Sequence, residues 1–139
     1  MVVLLGIVVI LGVLVIQGLV SALALAAAGP FVARAVERHS FWRNALITLS
    51  LILILLAGHL AQMAGWAMVF IAIGEFSEFA AALEHSAVNY STLGYGDIVM
   101  SPHWRILGPL EAVSGTLAFG WTTAVLVNVV GRLVHAGHR

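Results

Sequence analysis

The sequence predicts an all-α membrane protein with three transmembrane helices and a shorter helix between the second and the third. Two observations lead to this fold class. The chain of 139 residues is 62% hydrophobic and only 9% charged, which is well outside the composition of soluble domains. It also contains three apolar stretches that exceed the roughly twenty helical residues needed to cross a bilayer core of about 30 Å.

The first transmembrane helix is predicted over residues 1–28. It carries no basic residue at its start, and its apolar run is longer than the hydrophobic region of a secretory signal. We therefore expect a retained helix rather than a cleaved leader. The Gly29-Pro30 pair is expected to end this helix, and residues 29–44 are expected to form a loop.

An outer helix is predicted over residues 45–73 and an inner helix over residues 104–134, followed by a tail at 135–139. Between them, Ser77 is a candidate N-cap for a short helix over residues 77–91. A helix of this length cannot span the bilayer, but it suits a re-entrant segment that lines a water-filled cavity.

Basic residues predict how the chain is oriented in the membrane. They lie in the first connection and at the far end of the chain: Arg34, Arg38, Arg43, Arg132 and Arg139. The positive-inside rule places both regions in the cytoplasm and the amino terminus outside. The segment between the second and third spans is then external, and it carries four acids that would attract cations: Glu75, Glu78, Glu84 and Asp97.

The motif that carries the most information is Ser91-Thr92-Leu93-Gly94-Tyr95-Gly96-Asp97. Gly94 and Gly96 can adopt positive φ, which lets consecutive carbonyls point the same way and replace the water shell of an ion. The Thr92 hydroxyl can add one more oxygen. In a soluble protein Gly-Tyr-Gly is more often a plain turn, but its position between two predicted spans favours an ion-selectivity filter.

This motif resembles the Thr-x-Gly-Tyr-Gly-Asp signature of potassium channels, and the resemblance extends over residues 45–134, the predicted pore domain. It implies K⁺-binding residues Thr92, Leu93, Gly94, Tyr95 and Gly96, with Asp97 at the outer mouth. Leu93 stands where Val or Ile is more usual. A less specific similarity to small bacterial channel-like proteins with three helices rests on residues 104–111 and 119–121.

For the inner helix, the resemblance implies that Gly115 is a bending point and that Thr116, Phe119 and Thr123 line the cavity. Gly120 is a further candidate in this cavity and gating set. Close helix packing is an equally weighted interpretation of Gly115 and Gly120.

The sequence departs from the family in its short helix. Many channels have two aromatic residues where this chain has Glu84 and His85. The hydrogen-bonded cuff around Tyr95 must then be built differently, and Asn89 and Tyr90 are the candidates for it.

Glu111 is the only ionisable residue well inside the third predicted span. Since charge within a span is costly, the residue is either functional and faces a wet cavity, or protonated and bonded to the neighbouring short helix. In either case we expect it to tune opening or ion occupancy rather than selectivity. In the second span, His59 and Gln62 are expected to be polar packing residues rather than ligands.

Several classes of protein are not expected. No span carries an Arg ladder, so a voltage sensor is excluded. There is no Cys, no metal-ligand spacing and no nucleophile-base pair, so neither an enzyme nor a cofactor is expected, and the only metal would be a monovalent cation. A net charge of zero does not suggest nucleic-acid binding. Few residues follow the third span, so no fused ligand-binding domain is expected.

One filter sequence without internal repeats predicts four copies around a symmetry axis. The sequence thus predicts a homotetramer in the lipid bilayer of a bacterial inner membrane, which passes K⁺ passively through its pore. Two alternatives stay open: a weakly selective cation channel, and a non-conducting scaffold or accessory subunit with a vestigial pore loop.

Overall fold

The structure is a computed structural model that describes residues 1–37 and 40–135, with only the backbone of residues 33–37 and 135. Within these residues the fold is all-α and contains no strand. Its four helices are α1 (Val2–Glu37), α2 (Phe41–Ala72), α3 (Phe79–Tyr90) and α4 (Leu107–His135). Three segments are long and apolar enough to cross a membrane: Val2–Val32, Phe41–Ala72 and Leu107–Val134. The predicted fold class and its three candidate spans are confirmed at this level.

The prediction that the first helix ends at Gly29-Pro30 is wrong. Helix α1 continues through Pro30 to Glu37, so most of the predicted loop at 29–44 is helical. Proline removes one backbone hydrogen bond but need not end a helix whose other turns are held by neighbours. Val32 provides such a contact, since it packs against the hydrophobic cluster formed with α2 and α4.

The remaining helix bounds differ from the prediction by a few residues. Helix α2 begins at Phe41 rather than at residue 45, and α4 begins at Leu107 because residues 101–106 form a turn. Helix α3 begins after Glu78, whose extended backbone makes it the N-cap, so the predicted cap at Ser77 is wrong. The side chains of Arg34, Arg38 and Arg139, on which the predicted orientation partly depends, lie outside the described residues.

Helices α1 and α4 run in the same direction, and α2 runs antiparallel to both. Near the starts of α1 and α4, Gly6 packs against Leu110. Near their ends, Ala24 shares a buried cluster with Val129 and Leu133. The amino terminus therefore lies at the same end of the bundle as residues 74–106.

Helix α3 enters the bundle from that end and reaches only half of its length. Its middle residue His85 packs its ring against Phe70, near the end of α2, at 5.4 Å between centroids. Its last residue, Tyr90, contacts His59 in the middle of α2. The chain then returns to the end where it entered, because Ile98 is again bonded to His85. This return path, residues 91–101, contains the segment predicted to be the filter.

Candidate functional site

The backbone of the predicted filter segment, residues 92–96, alternates in the sign of φ. Thr92, Gly94 and Gly96 have positive φ values of 62°, 58° and 80°, whereas Leu93 and Tyr95 do not. A backbone in which φ alternates in sign can turn successive peptide groups so that their carbonyls face one side. The sequence predicted this freedom for the two glycines but not for Thr92, a β-branched residue for which positive φ is strained.

The amide groups at the start of this segment are satisfied by α3. The N–H of Thr92 donates to the Asn89 carbonyl at 2.9 Å, and the N–H groups of Leu93 and Gly94 donate to the Val88 carbonyl at 3.0 and 3.3 Å. No described residue donates a hydrogen bond to a carbonyl of residues 92–97. The carbonyl oxygens are therefore available to a ligand outside the subunit fold.

The predicted filter segment and the flanking Ser91 and Asp97 are exposed on the single subunit. Leu93 and Tyr95 expose 63% and 55% of their surface. A row of free carbonyls beside exposed apolar side chains has too few oxygens to enclose an ion alone, but it suits a site that several subunits complete.

Two side chains hold the return path in place at the end of the bundle where residues 74–106 lie. His85 Nδ1 is 3.0 Å from the Ile98 carbonyl and therefore donates to it, which leaves Nε2 to accept from Asn89 Nδ2 at 2.9 Å. Burial lowers the pKa of His85, against the opposing effects of the Ile98 bond and the Glu75 charge. Glu75 accepts bonds from the Ser101 backbone and hydroxyl at 2.7 and 2.6 Å.

The candidates for a cuff around Tyr95 are engaged elsewhere in the subunit. Tyr90 donates its hydroxyl hydrogen to Gln62 at 2.6 Å, and Asn89 is bonded to His85. The expectation that one of them bonds Tyr95 is therefore not met within one subunit. The Tyr95 ring instead borders a small cavity that it shares with Glu84, His85, Val88, Asp97 and Ile98.

The predicted cavity residues of the inner helix divide into two groups. Thr116, Gly120 and Thr123 recur at helical spacing on an exposed face of α4, and the two hydroxyls bond carbonyls of their own helix at 2.9 Å. Phe119 lies at the flank of this face, where its ring packs 4.7 Å from His59 and 5.4 Å from Tyr90. These contacts leave the first group free for a pore or a subunit interface.

At Gly115, α4 packs directly against the backbone of Tyr90, the last residue of α3. A Cβ added here would overlap the Tyr90 carbonyl oxygen and lie 2.9 Å from the carbonyl carbon. Gly120, by contrast, has nothing within 4 Å of an added Cβ. Of the two interpretations of Gly115 left open by the sequence, close packing has direct structural support.

Glu111 is fully buried and faces α3. Its Oε1 is 2.5 Å from Ser86 Oγ, which is also 2.8 Å from the Met63 carbonyl. The Asn89 amide lies nearby, but Oε2 has no hydrogen-bond partner among the described residues. A hydroxyl has one hydrogen and a carbonyl has none, so both Ser86 contacts are hydrogen bonds only if Glu111 is protonated and donates. The geometry favours the protonated alternative over a carboxylate facing a wet cavity.

Comparison with known proteins places this sequence in a family. A family model described as "Ion channel" matches residues 49–132, which is more than half of the chain. The protein belongs to this ion channel family. The comparisons with curated proteins and with solved structures found no significant match. The matched region contains α3, the predicted filter segment and most of α2 and α4, so the ion channel family match covers the site described above.

The burial of Glu111 leads to a first prediction for this ion channel. Glu111→Gln should retain assembly and most of the ion flux, because an amide replaces a protonated carboxyl group with little change in shape and can still bond Ser86. Glu111→Leu should lower the stability, since it removes the buried hydrogen bond to Ser86, and such a bond contributes about 0.5–1.5 kcal/mol. Thermal unfolding and flux in liposomes measure both effects. A large loss of cation flux in Glu111→Gln would instead indicate an ionised residue that acts on the ion.

Sequence reasoning missed several hydrogen bonds between polar residues inside the bundle. Trp66 Nε1 donates to Ser114 Oγ at 3.2 Å, and Ser114 donates to the Glu111 carbonyl at 2.7 Å. Gln17 and Thr122 also bond each other across 105 positions of sequence, at 2.9 Å. The only available signal was a polar residue within an apolar stretch. Within the described part of the chain, no three His, Cys, Asp or Glu side chains are grouped to hold a metal ion.

Proposed function

We propose that this ion channel is potassium-selective and that K⁺ moves passively, down its electrochemical gradient, through residues 92–96 of a homotetramer. The observation that carries the proposal is the alternating backbone of this segment, whose carbonyls have no donor in the subunit. Backbone carbonyls that replace the hydration shell are how potassium filters bind their ion. In this proposal, α3 and the return path form a re-entrant pore loop, and Asp97 lies at the outer mouth.

Four subunits follow from the incomplete site on one. A single segment contributes one row of oxygens, whereas an ion must be surrounded, and the exposed Leu93 and Tyr95 side chains would pack behind the filter in the assembly. The exposed face with Thr116, Gly120 and Thr123 would line the cavity below the filter. Cyclic symmetry would bring the four faces together around one axis.

Orientation and location are part of the same proposal. We place the channel in a bacterial inner membrane with the amino terminus outside and the carboxyl terminus in the cytoplasm. The positions of Arg43 and Arg132 at the same end of the bundle support this orientation through the positive-inside rule. Reporter fusions to both termini in intact cells test it, and two termini on the same side would overturn it.

We expect cross-linking of the purified protein in mild detergent to stop at four subunits, because four filter segments are needed to enclose one ion. The measurement is the largest cross-linked species over a range of reagent concentrations, with protein denatured beforehand as a control for random cross-linking. A terminal dimer or monomer would contradict the pore.

Flux in liposomes is the experiment that decides between the proposed functions. Tetramers that pass K⁺ but little Na⁺ would support the proposal. Comparable K⁺ and Na⁺ fluxes would favour the weakly selective cation channel, for which the lack of a bond from Asn89 or Tyr90 to Tyr95 within the subunit is the supporting observation. No flux of either ion would favour the scaffold or accessory subunit.

A further inference from the structure

Five buried or partly buried side chains form a closed ring of hydrogen bonds in the middle of the bundle. They come from all four helices and are Gln17 of α1, His59 and Gln62 of α2, Tyr90 of α3 and Thr122 of α4. Each is bonded to the next: Gln62 to Gln17 at 2.7 Å, Gln17 to Thr122 at 2.9 Å, Thr122 to His59 at 2.9 Å, His59 to Tyr90 at 2.9 Å and Tyr90 to Gln62 at 2.6 Å. We call this set the polar ring.

Counting hydrogens shows that all five bonds of the polar ring run the same way around it. The Tyr90 hydroxyl has one hydrogen, which it donates to Gln62 Oε1, so His59 Nδ1 must donate to Tyr90. His59 Nε2 then accepts from Thr122, and every member donates once and accepts once. If the oxygen and nitrogen of both glutamine amides are exchanged, all five hydrogen bonds reverse direction, and each residue still donates once and accepts once. In either direction the ring is complete only with neutral His59.

The polar ring is attached to the proposed filter through Tyr90. This residue is the last of α3, its hydroxyl lies in the ring, and its carbonyl packs against Gly115. Thr92, two residues later, is the first residue of the filter segment. A shift of the Tyr90 side chain would therefore move the inner end of the filter, where an error in carbonyl position changes the size of the ion site.

Gln17 is the contribution of α1 to this ring, and it lies outside the region matched by the family model, residues 49–132. The side chain is fully buried, and it connects Gln62 of α2 with Thr122 of α4. One turn further along the same face, Ser21 is also buried, but its hydroxyl has no hydrogen-bond partner among the described residues. Burial of a polar group in α1 therefore does not by itself create such a link.

We propose that Gln17 is a positioning residue for ion selectivity: by closing the polar ring it fixes Tyr90, and through Tyr90 the inner end of the filter. The first helix is then part of the support of the filter and not only a packing element at the lipid boundary. This inference rests on the proposed function as a potassium-selective channel.

The test compares Gln17→Met with Ser21→Ala in reconstituted tetramers. Methionine keeps the length of the side chain but removes both ring bonds, and we expect the ratio of K⁺ to Na⁺ flux to fall by about tenfold. Ser21→Ala removes a buried hydroxyl that has no partner and should leave the ratio unchanged. An unchanged ratio in Gln17→Met, with or without a lower unfolding temperature, would overturn the inference, since it would show that Gln17 does not position Tyr90 for selectivity.

A second variant breaks the polar ring from the opposite side. Thr122→Val preserves the shape of the side chain and removes its hydroxyl. If Gln17→Met does not assemble, this variant still tests whether the intact ring is needed for selectivity. If the ring acts as a unit, removing one hydrogen bond already disrupts the whole ring. The double variant Gln17→Met/Thr122→Val should then be no less selective than either single variant. Losses that multiply in the double variant would indicate independent contacts and overturn the ring as a unit.

The wild-type measurement separates the two proposals. A wild-type protein that does not prefer K⁺ would overturn the proposed function together with this inference. A K⁺-selective wild type whose Gln17→Met and Thr122→Val variants are equally selective would overturn the inference alone.

Discussion

Gly94→Ala is expected to abolish K⁺ flux while the protein still assembles. Gly94 has a φ of 58°, where an L-residue with a Cβ costs on the order of 1–2 kcal/mol, and in the proposed tetramer the change would occur four times around one axis. The effect is confined to the backbone conformation, because an added Cβ would have only the Thr92 carbonyl oxygen nearby, at 3.9 Å.

Liposome flux and cross-linking measure the two halves of this expectation. Gly65→Ala is the matched control, since Gly65 lies within α2 and has nothing within 4 Å of an added Cβ. It should leave both the flux and the tetramer unchanged. A Gly94→Ala channel that still prefers K⁺ over Na⁺ would show that the carbonyls of residues 92–96 do not form the filter.

Gly115→Ala should have the largest effect on stability. The added Cβ would overlap the backbone carbonyl of Tyr90 and lie 3.1 Å from Cγ of its ring. Since a helix backbone cannot yield as the end of a flexible side chain does, α3 and α4 must separate, and overpacking of this kind costs about 1–3 kcal/mol. We expect the unfolding temperature to fall by about 5 °C or more, together with a loss of K⁺ selectivity as Tyr90 moves.

Gly120→Ala provides the control on the same helix, because Gly120 has open space around its Cα. It should change the unfolding temperature little. If the two variants unfold at the same temperature and Gly115→Ala alters only the fraction of time the channel is open, Gly115 acts as a bending point and not as a packing contact.

Three candidate spans and the positive φ of Gly94 and Gly96 could be predicted from the sequence because both depend on the local residues themselves. A long apolar run requires a helix in a bilayer, where every backbone group needs an internal partner. Gly94 and Gly96 likewise indicate positive φ, because a residue without a Cβ adopts it at little cost. The end of α1 could not be predicted in this way: Pro30 weakens the helix locally, but contacts such as that of Val32 lie on other helices.

What the sequence by itself determined is therefore the all-α class, the number of candidate spans and the position of the glycines that permit a filter backbone. Only the tertiary structure decided that Gly115 meets the Tyr90 carbonyl, that Glu111 faces Ser86, and that Gln17 closes a ring with residues up to 105 positions away. These features depend on which helix faces approach one another. The sequence shows where a polar or small residue lies, but its partner is determined by packing between helices that are far apart in the chain.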